Sequence, residues 1–141
     1  MESLLDQDLE RDAYEIIIIN DGSIDDSLDI AQNLAHQYHN VIVKTQQNQG
    51  VSAVRNLGIK VAKGDFILFI DADDTIKKNT LSKMLSFTQK NQLQISMFGM
   101  VKVKDDVVIE SISDKSTERL GVVSGLILYE HRMIDSACKY F

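Results

Sequence analysis

The amino-acid sequence predicts an α/β domain in which a mostly parallel sheet lies between two helical layers, a three-layer αβα sandwich. Two runs of strand length, at residues 14–19 with four consecutive isoleucines and at residues 66–70, lack the polar alternation of a strand with one solvent face. Segments with helical periodicity separate the strands, which favours parallel pairing through right-handed crossovers. At 141 residues and 44% hydrophobic composition, we expect a single domain spanning residues 1–141.

The helices are predicted from apolar side chains spaced three or four residues apart. They are expected over residues 1–12, from a cap at Asp25 or Asp26 to about His39, over 51–62 with Gly64 as the stop, from Asn79 or Thr80 onward, and over 120–133. The last segment contains Gly121 and Gly125, which disfavour a helix, but its apolar content favours a buried one.

The strands are predicted from apolar and β-branched runs. They are expected at residues 14–19, 41–44, 66–70, 94–104 and 107–109. The run at 94–104 alternates more than the others, so we expect it nearer a sheet edge, with a turn at 104–106 returning the chain as a hairpin. Residues 20–23, Asn-Asp-Gly-Ser, form a predicted turn at the carboxyl end of the first strand.

Three acidic residues, Asp71, Asp73 and Asp74, follow directly after the apolar run at 66–70. Ligands of open α/β sheets bind beyond the carboxyl ends of the strands. Carboxylates gathered there repel one another unless a cation or donors compensate them, and a hard divalent metal is the expected compensator. The structural alternative is that Asp73 or Asp74 caps a helix that starts near Lys77.

Composition excludes several classes of protein. The net charge of −6 and the lack of a basic run argue against a nucleic-acid surface. A single cysteine, Cys138, excludes an intrachain disulfide and a cysteine zinc cluster, and it favours a reducing, cytoplasmic compartment. No apolar stretch approaches the roughly 20 residues of a membrane span, although peripheral attachment at the inner membrane face stays open.

Three segments carry a resemblance to a known family: YEIIIINDGSIDDS, NQGVSAVRNLGIKVAKGDFILFIDADD, and the Leu-rich helix after them. In this order and spacing they resemble the family 2 glycosyltransferases, which have the Rossmann-like GT-A fold. The resemblance covers residues 1–100 and extends weakly beyond them.

The resemblance implies a nucleotide-binding role for two residues. Asp21, in the Asn-Asp-Gly-Ser motif, matches the carboxylate that receives the base edge of a nucleotide-sugar; its structural alternative is an Asx-turn. Asn48, Gly50 and Arg55 match the family's Asn-x-Gly-x-(Ser/Ala)-x-x-Arg-Asn stretch. Arg55 is implied to place the nucleotide or its phosphates, and the alternative is that it merely pairs with Asp21 or the acidic cluster.

The resemblance also implies a metal site. Asp71 and Asp73 match the family's Asp-x-Asp pair, with Asp71 toward the ribose or metal and Asp73 in direct contact with the metal. The implied cofactor is a divalent cation, Mn or Mg. Asp74 is then left as the helix-capping residue.

The implied activity is an inverting transfer of a sugar from a nucleotide-diphosphate donor, a UDP-sugar, to a glycan or lipid-linked hydroxyl acceptor. The family's general base lies well after the Asp-x-Asp pair in a Glu-Asp motif, and this sequence has no such later motif, so no base is named. Two alternatives stay open: a non-catalytic nucleotide-binding relative, and a phospho-receiver domain. The receiver reading leaves the Asn-Asp-Gly-Ser motif unexplained.

The front of the chain departs from the family pattern. Family members begin with an additional strand in the middle of the sheet, and residue 1 falls after it, so we expect a partial domain that lacks the first strand. The strands at 14–19 and 66–70 would then lose their common neighbour. We expect either that these two strands pair directly or that a second copy of the chain covers the exposed edge.

Overall fold

The computed structural model describes residues 1–104, 107–112 and 126–130. Within these ranges there are four α-helices, α1 Glu2–Leu5, α2 Ser27–Gln37, α3 Val51–Val61 and α4 Thr80–Lys90, with a 3-10 turn at Arg11–Ala13. The strands are β1 Ile16–Asp21, β2 Val41–Gln46, β3 Phe66–Leu68, β4 Ile95–Phe98, β5 Met100–Lys104, β6 Val107–Ile112 and β7 Leu126–Glu130. The α/β class predicted from the sequence is confirmed. No helix in the described ranges is long and apolar enough to cross a bilayer.

Strands β1 and β2 pair in parallel with α2 as the crossover between them. The register sets Ile16 opposite Val41 at one end and Asp21 opposite Gln46 at the other. Ser27 at the start of α2 donates its N–H to Asp25 Oδ1 (3.0 Å), so Asp25 supplies the expected cap carboxylate. The parallel strand–helix–strand unit predicted for this part of the chain is confirmed.

Strand β7 lies between β3 and β4 and runs antiparallel to both. The helix predicted at 120–133 is therefore wrong over Leu126–Glu130. A short apolar run is compatible with a buried strand as well as a helix, and here pairing on both sides decides for the strand. The remainder of that predicted helix, and Cys138, lie outside the described residues.

The single strand predicted at 94–104 is observed as two, β4 and β5. Strand β5 pairs antiparallel with β6 from Met100 opposite Ile112 to Lys104 opposite Val107, which confirms the predicted hairpin. The residues at its tip, 105 and 106, lie outside the described ranges.

Helix α3 packs against both β1 and β3. Ile59 of α3 and Ile67 of β3 are buried together, and Phe69 packs against them. A side-chain carbon added at Gly58 would lie 3.4 Å from Ile19 Cδ1, so the absence of a side chain lets the helix approach β1 closely. Within the described ranges β1 and β3 belong to different sheets, so the direct pairing expected as one alternative is not observed there.

The predicted start of α4 at Asn79 or Thr80 is confirmed, whereas its expected cap and the expected length of the first helix are wrong. Neither Asp73 nor Asp74 caps α4; the first-turn N–H groups of Thr80 and Leu81 instead donate to Gln7 Oε1 at 3.0 and 3.2 Å. The expected helix at 1–12 is limited to α1 and the 3-10 turn that follows it.

Helix α3 ends at Val61, before the predicted stop at Gly64. The N–H groups of Lys63 and Gly64 donate to Glu15 Oε1 at 2.6 and 3.1 Å. Glu15 directly precedes β1, so this contact holds the entry to β3 beside the entry to β1. The two strands are thus aligned at their amino ends without hydrogen bonding to each other in the described part of the chain.

Candidate functional site

Asp21, the last residue of β1, holds the loop that leads into α3. Its Oδ1 accepts hydrogen bonds from Gln46 Nε2 (2.7 Å) and from the N–H of Gln49 (3.0 Å), and its Oδ2 accepts from the N–H of Gly50 (2.9 Å). The Gln46 side chain, then the Gln49 and Gly50 amides, lower the pKa of Asp21 below its ordinary value by favouring the charged form; slight desolvation opposes them. Asp21 is therefore an oriented, ionised carboxylate at the end of a strand.

The turn after Asp21 is built from its neighbours. Asn20 Oδ1 accepts the N–H of Ser23 (3.0 Å), so the Asx-turn expected as the alternative role of Asp21 is made by Asn20. Gly22 has φ +79°, and a side-chain carbon there would lie 3.1 Å from the backbone nitrogen of Asn48. The turn is thus pressed against the segment that precedes α3, which only glycine permits.

Arg55 extends from α3 to the end of β3. Its Nη2 lies 3.5 Å from Asp71 Oδ1, and its guanidinium carbon lies 5.8 Å from the ring centroid of Phe69. The side chains of Arg55 and Asp71 are 49% and 65% exposed, so the ion pair faces solvent and remains accessible to a ligand. Of the two partners weighed for Arg55 from the sequence, the acidic cluster is the one it contacts.

The first turns of α3 join the two acid-bearing strand ends. Asp21 binds the amide of Gly50 directly before the helix, and Arg55, five residues later, binds Asp71. Five residues of α-helix rise only about 7.5 Å. Asp21, Arg55 and Asp71 are therefore brought to the same end of the fold by one helix.

Asp73 lies in the turn that follows β3. The N–H of Asp74 donates to the carbonyl of Asp71 (3.0 Å), which closes a turn around Asp73. Asp71, Asp73 and Asp74 are all exposed. In the part of the chain that the structure describes, the carboxylate of Asp73 has no hydrogen bond or ion pair, so its oxygens are available to an external ligand.

The carboxylates of Asp71 and Asp73 suit a cation that is bound together with the phosphates of a substrate. No three His, Cys, Asp or Glu side chains among the described residues are grouped to hold a metal by themselves. Mg²⁺ is typically held by one or two carboxylates together with substrate phosphates. Asp71 and Asp73 offer exposed hard-oxygen ligands two residues apart, and Asp71 also contacts the cationic Arg55, which fits a metal bound jointly with a diphosphate.

Three residues of this region were not identified from the sequence: Gln46, Gln49 and Phe69. Gln46 reaches Asp21 only because the β1–β2 register sets the two residues opposite each other. The position of Phe69 at the end of an apolar run indicated only burial. For Gln46 and Gln49 the sequence carries no signal apart from their closeness to the Asn-x-Gly stretch.

Comparison with known proteins gives a family and a fold. The family described as glycosyl transferase family 2 matches residues 1–134. A poly(ribitol-phosphate) beta-glucosyltransferase of Bacillus spizizenii is 34% identical over 131 residues, which cover 92% of this chain and 21% of the relative. The putative glycosyltransferase EpsH of Bacillus subtilis is 49% identical over 85 residues, covering 60% of this chain and 24% of that protein.

Among solved structures, TarS of S. aureus in complex with UDP superposes with a TM-score of 0.82 at 25% identity. The match covers 97% of this chain and 43% of the TarS chain. The GT-A fold expected from the sequence is confirmed by this likeness. The chain spans about a fifth to a quarter of the length of the two curated relatives named above.

Proposed function

Because the chain belongs to glycosyl transferase family 2, we propose that it forms the donor-binding part of an enzyme that transfers a sugar from a nucleotide diphosphate to a hydroxyl acceptor. One observation carries the proposal: Gly50, directly before α3, binds Asp21 through its amide, and Arg55 within α3 binds Asp71, so the start of one helix brings together the oriented carboxylate, the cation and the first acid of the Asp-x-Asp pair. A ligand with a hydrogen-bonding base at one end and a diphosphate at the other matches that order of groups.

The base end of the donor is assigned to Asp21. An ionised carboxylate has about four acceptor positions, and the chain's own donors use three of them at Asp21. The remaining one can accept an N–H from the edge of a uracil. UDP is the favoured nucleotide because the structurally similar TarS was solved with it.

The diphosphate end is assigned to Arg55, Asp71 and Asp73. Arg55 presents a planar cation that matches phosphate oxygens, and the ring of Phe69 holds it in place. Asp71 and Asp73 would hold Mn or Mg. When bound, that ion supplies positive charge to the leaving diphosphate as the bond to the anomeric carbon breaks. Arg55 contributes to the same charge compensation directly.

The acceptor is proposed to be a glycan or lipid-linked hydroxyl, and the transfer to be inverting. One relative is named for transfer to poly(ribitol phosphate), a polymer rich in hydroxyl groups. An inverting transfer needs a general base on the face opposite the leaving group, and none of the residues of the site is assigned that role. A cytoplasmic setting, peripheral at the inner membrane face, and a second copy covering the edge of β1 belong to the same proposal.

A second candidate function is nucleotide binding without turnover. It is favoured by the three hydrogen bonds that Asp21 makes within the chain, since these give the residue a structural purpose that does not depend on catalysis.

Titration of the purified chain with UDP in the presence of Mn²⁺ tests the shared part of both candidates. We expect saturable binding that weakens when Mn²⁺ is removed, and no binding of UDP with or without the metal would overturn both. Release of UDP from UDP-glucose or UDP-N-acetylglucosamine in the presence of hydroxyl acceptors then separates them. Binding without release favours the second candidate.

A further inference from the structure

Residues 2–8, which we call the N-terminal clamp, lie along the segment from residue 76 to residue 82. The contacts join side chains of the clamp to the end of the acidic loop and the start of α4. They are Ser3 Oγ with the N–H of Ile76 (3.3 Å), Asp6 with Lys78 Nζ (2.7 Å), Asp8 with the hydroxyl of Ser82, and Gln7 with three backbone groups. All of them join residues at least 70 positions apart in the chain, so this packing is tertiary.

Gln7 is the centre of the clamp because its amide is used at both ends. Its Nε2 donates to the carbonyls of Ser3 (2.8 Å) and Lys77 (3.0 Å), while its Oε1 accepts the N–H groups of Thr80 (3.0 Å) and Leu81 (3.2 Å). One side chain thus ties α1, the acidic loop and the first turn of α4 together.

Helix α4 depends on this contact for its start. The first N–H groups of a helix have no partner within it, and a side chain just before the helix normally accepts them. Here that residue is Asn79, which has a left-handed backbone (φ 59°) and makes no side-chain cap bond. Gln7 supplies the missing acceptor from 73 residues away.

The loop between β3 and α4 carries the acid pair and is secured at few points. Its first turn is closed by the N–H of Asp74 on the carbonyl of Asp71, Arg55 contacts Asp71 through an exposed ion pair, and Ile76 is buried (7% exposed). Its second half is secured by the clamp at Ile76 and Lys77. Between the turn that contains Asp73 and the clamp contact at Ile76 there is only one residue, Thr75, beyond Asp74.

We propose that Gln7 is a positioning residue for the metal–nucleotide site: it holds residues 76–81 so that Asp71 and Asp73 keep the spacing that a shared cation requires. The inference rests on the proposed function for the identity of the ligand. That Gln7 holds the acidic loop in place does not depend on the proposed function. The proposal requires both the Nε2 donor and the Oε1 acceptor of the Gln7 side chain. Substitutions of Gln7 can therefore test the donor and the acceptor separately.

The experiment uses the full chain with two substitutions of Gln7 and one control. Gln7→Ala removes both the donor and the acceptor of the side-chain amide. Gln7→Glu keeps an acceptor for Thr80 and Leu81, strengthened by the positive end of the helix, and loses the donor to the carbonyls of Ser3 and Lys77. The control is Asn91→Ala, which removes the side-chain bond from Asn91 Nδ2 to the carbonyl of Phe87 (2.7 Å) at the opposite end of α4.

The first readout is amide hydrogen exchange by NMR, which needs no nucleotide. The informative amides are those of Asp74 and Ile76, which Gln7 does not contact. We expect faster exchange there in both Gln7 variants and no change in Asn91→Ala. Unchanged exchange at both amides in Gln7→Ala overturns the proposal whether or not UDP binds.

The second readout is the affinity for UDP with Mn²⁺, by calorimetry. We expect Gln7→Ala and Gln7→Glu each to weaken it by about two- to tenfold, which corresponds to a typical net hydrogen bond. The thermal unfolding midpoint of Gln7→Glu should lie above that of Gln7→Ala, because the acceptor for α4 is retained. The control Asn91→Ala should bind UDP with the affinity of the wild type. Faster loop exchange with undiminished affinity in both variants would refute positioning.

The two proposals fail in different ways. If the wild type binds no UDP with Mn²⁺, the proposed function fails. In that case a nucleotide is also not the ligand of the site that Gln7 positions. The exchange of Asp74 and Ile76 still decides, in that case, whether the clamp holds the acidic loop.

Discussion

Arg55 pairs with Asp71: its Nη2 lies 3.5 Å from Asp71 Oδ1, while its guanidinium carbon lies 5.8 Å from the ring centroid of Phe69. An ion pair this exposed contributes about 0–1 kcal/mol to stability. Its main effect is to hold the guanidinium cation of Arg55 next to the carboxylate of Asp71, after the end of β3. That arrangement separates binding from folding, so substitutions here can test function without unfolding the chain.

Replacing Arg55 by methionine removes the cation and retains a side chain of similar reach. We expect the affinity for UDP with Mn²⁺ to fall by about tenfold or more, since hydrogen bonds to charged groups contribute about 1.5–3 kcal/mol. The free energy of unfolding in urea should change by less than about 1 kcal/mol. Lys60→Met, at an exposed position of the same helix, is the control. Equal affinities of the two variants would contradict the assignment.

Asp73 and Asp74 allow a matched comparison of neighbouring exposed carboxylates. Asp73→Asn is expected to weaken the Mn²⁺-dependent part of UDP binding by about tenfold or more, because a ligand of the cation is lost. Asp74→Asn removes the same charge and should bind within about twofold of the wild type. Calorimetry with and without Mn²⁺ measures both. Loss of metal dependence in the Asp74 variant instead would reassign the ligand.

The pKa of Asp21 lies below its ordinary value of 3.8, chiefly because Gln46 donates to the charged form, followed by Gln49. A carboxyl group with a lowered pKa in the folded state stabilises the fold fully above its unfolded pKa, and this contribution is lost as the pH falls through the lowered value. We therefore expect the unfolding temperature of Asp21→Asn to lie below that of the wild type near neutral pH. The difference should shrink as the pH drops below 3.8.

Asp65→Asn is the control for this titration, because it removes one exposed charge. Thermal unfolding followed by circular dichroism across the acid range measures the three proteins. A difference between wild type and Asp21→Asn that stays constant into the acid range would show that the ionised carboxylate is not what holds the loop.

Gly22 and Gly50 both have a positive φ, at +79° and +85°, but only Gly22 is crowded. Gly50→Ala should cost about 1–3 kcal/mol, because φ +85° with ψ 169° is a backbone conformation that is essentially restricted to glycine. Gly22→Ala should cost more, since its new carbon would lie 3.1 Å from the backbone nitrogen of Asn48 and the main chain must shift. Urea denaturation measures the free energy of unfolding of each variant. The reverse order would mean that the turn is not pressed against the loop.

Local pattern was sufficient for much of this protein. The isoleucine run before Asp21 predicted β1, the periodicity of residues 51–62 predicted α3, and acids after an apolar run predicted a polar strand end at β3. The family resemblance added roles for Asp21, Arg55, Asp71 and Asp73, and these roles remain predictions that the variants above address.

Local pattern was insufficient where a distant partner decides the structure. The apolar segment Leu126–Glu130 could form a helix or a strand, and pairing with β3 and β4 selects the strand. The start of α4 at Asn79 or Thr80 is predicted correctly, but the sequence offers only Asp73 or Asp74 as its cap, and the N–H groups of Thr80 and Leu81 donate to Gln7 instead.

By itself the sequence determined the α/β class, the order of most of its helices and strands, and the kinds of side chain that follow β1 and β3, because periodicity and turn chemistry depend on neighbouring residues. Only the tertiary structure decided that Gln46 orients Asp21 and that Arg55 reaches Asp71. Those contacts depend on strand register and on how α3 packs across β1 and β3. No stretch of adjacent residues encodes either of these.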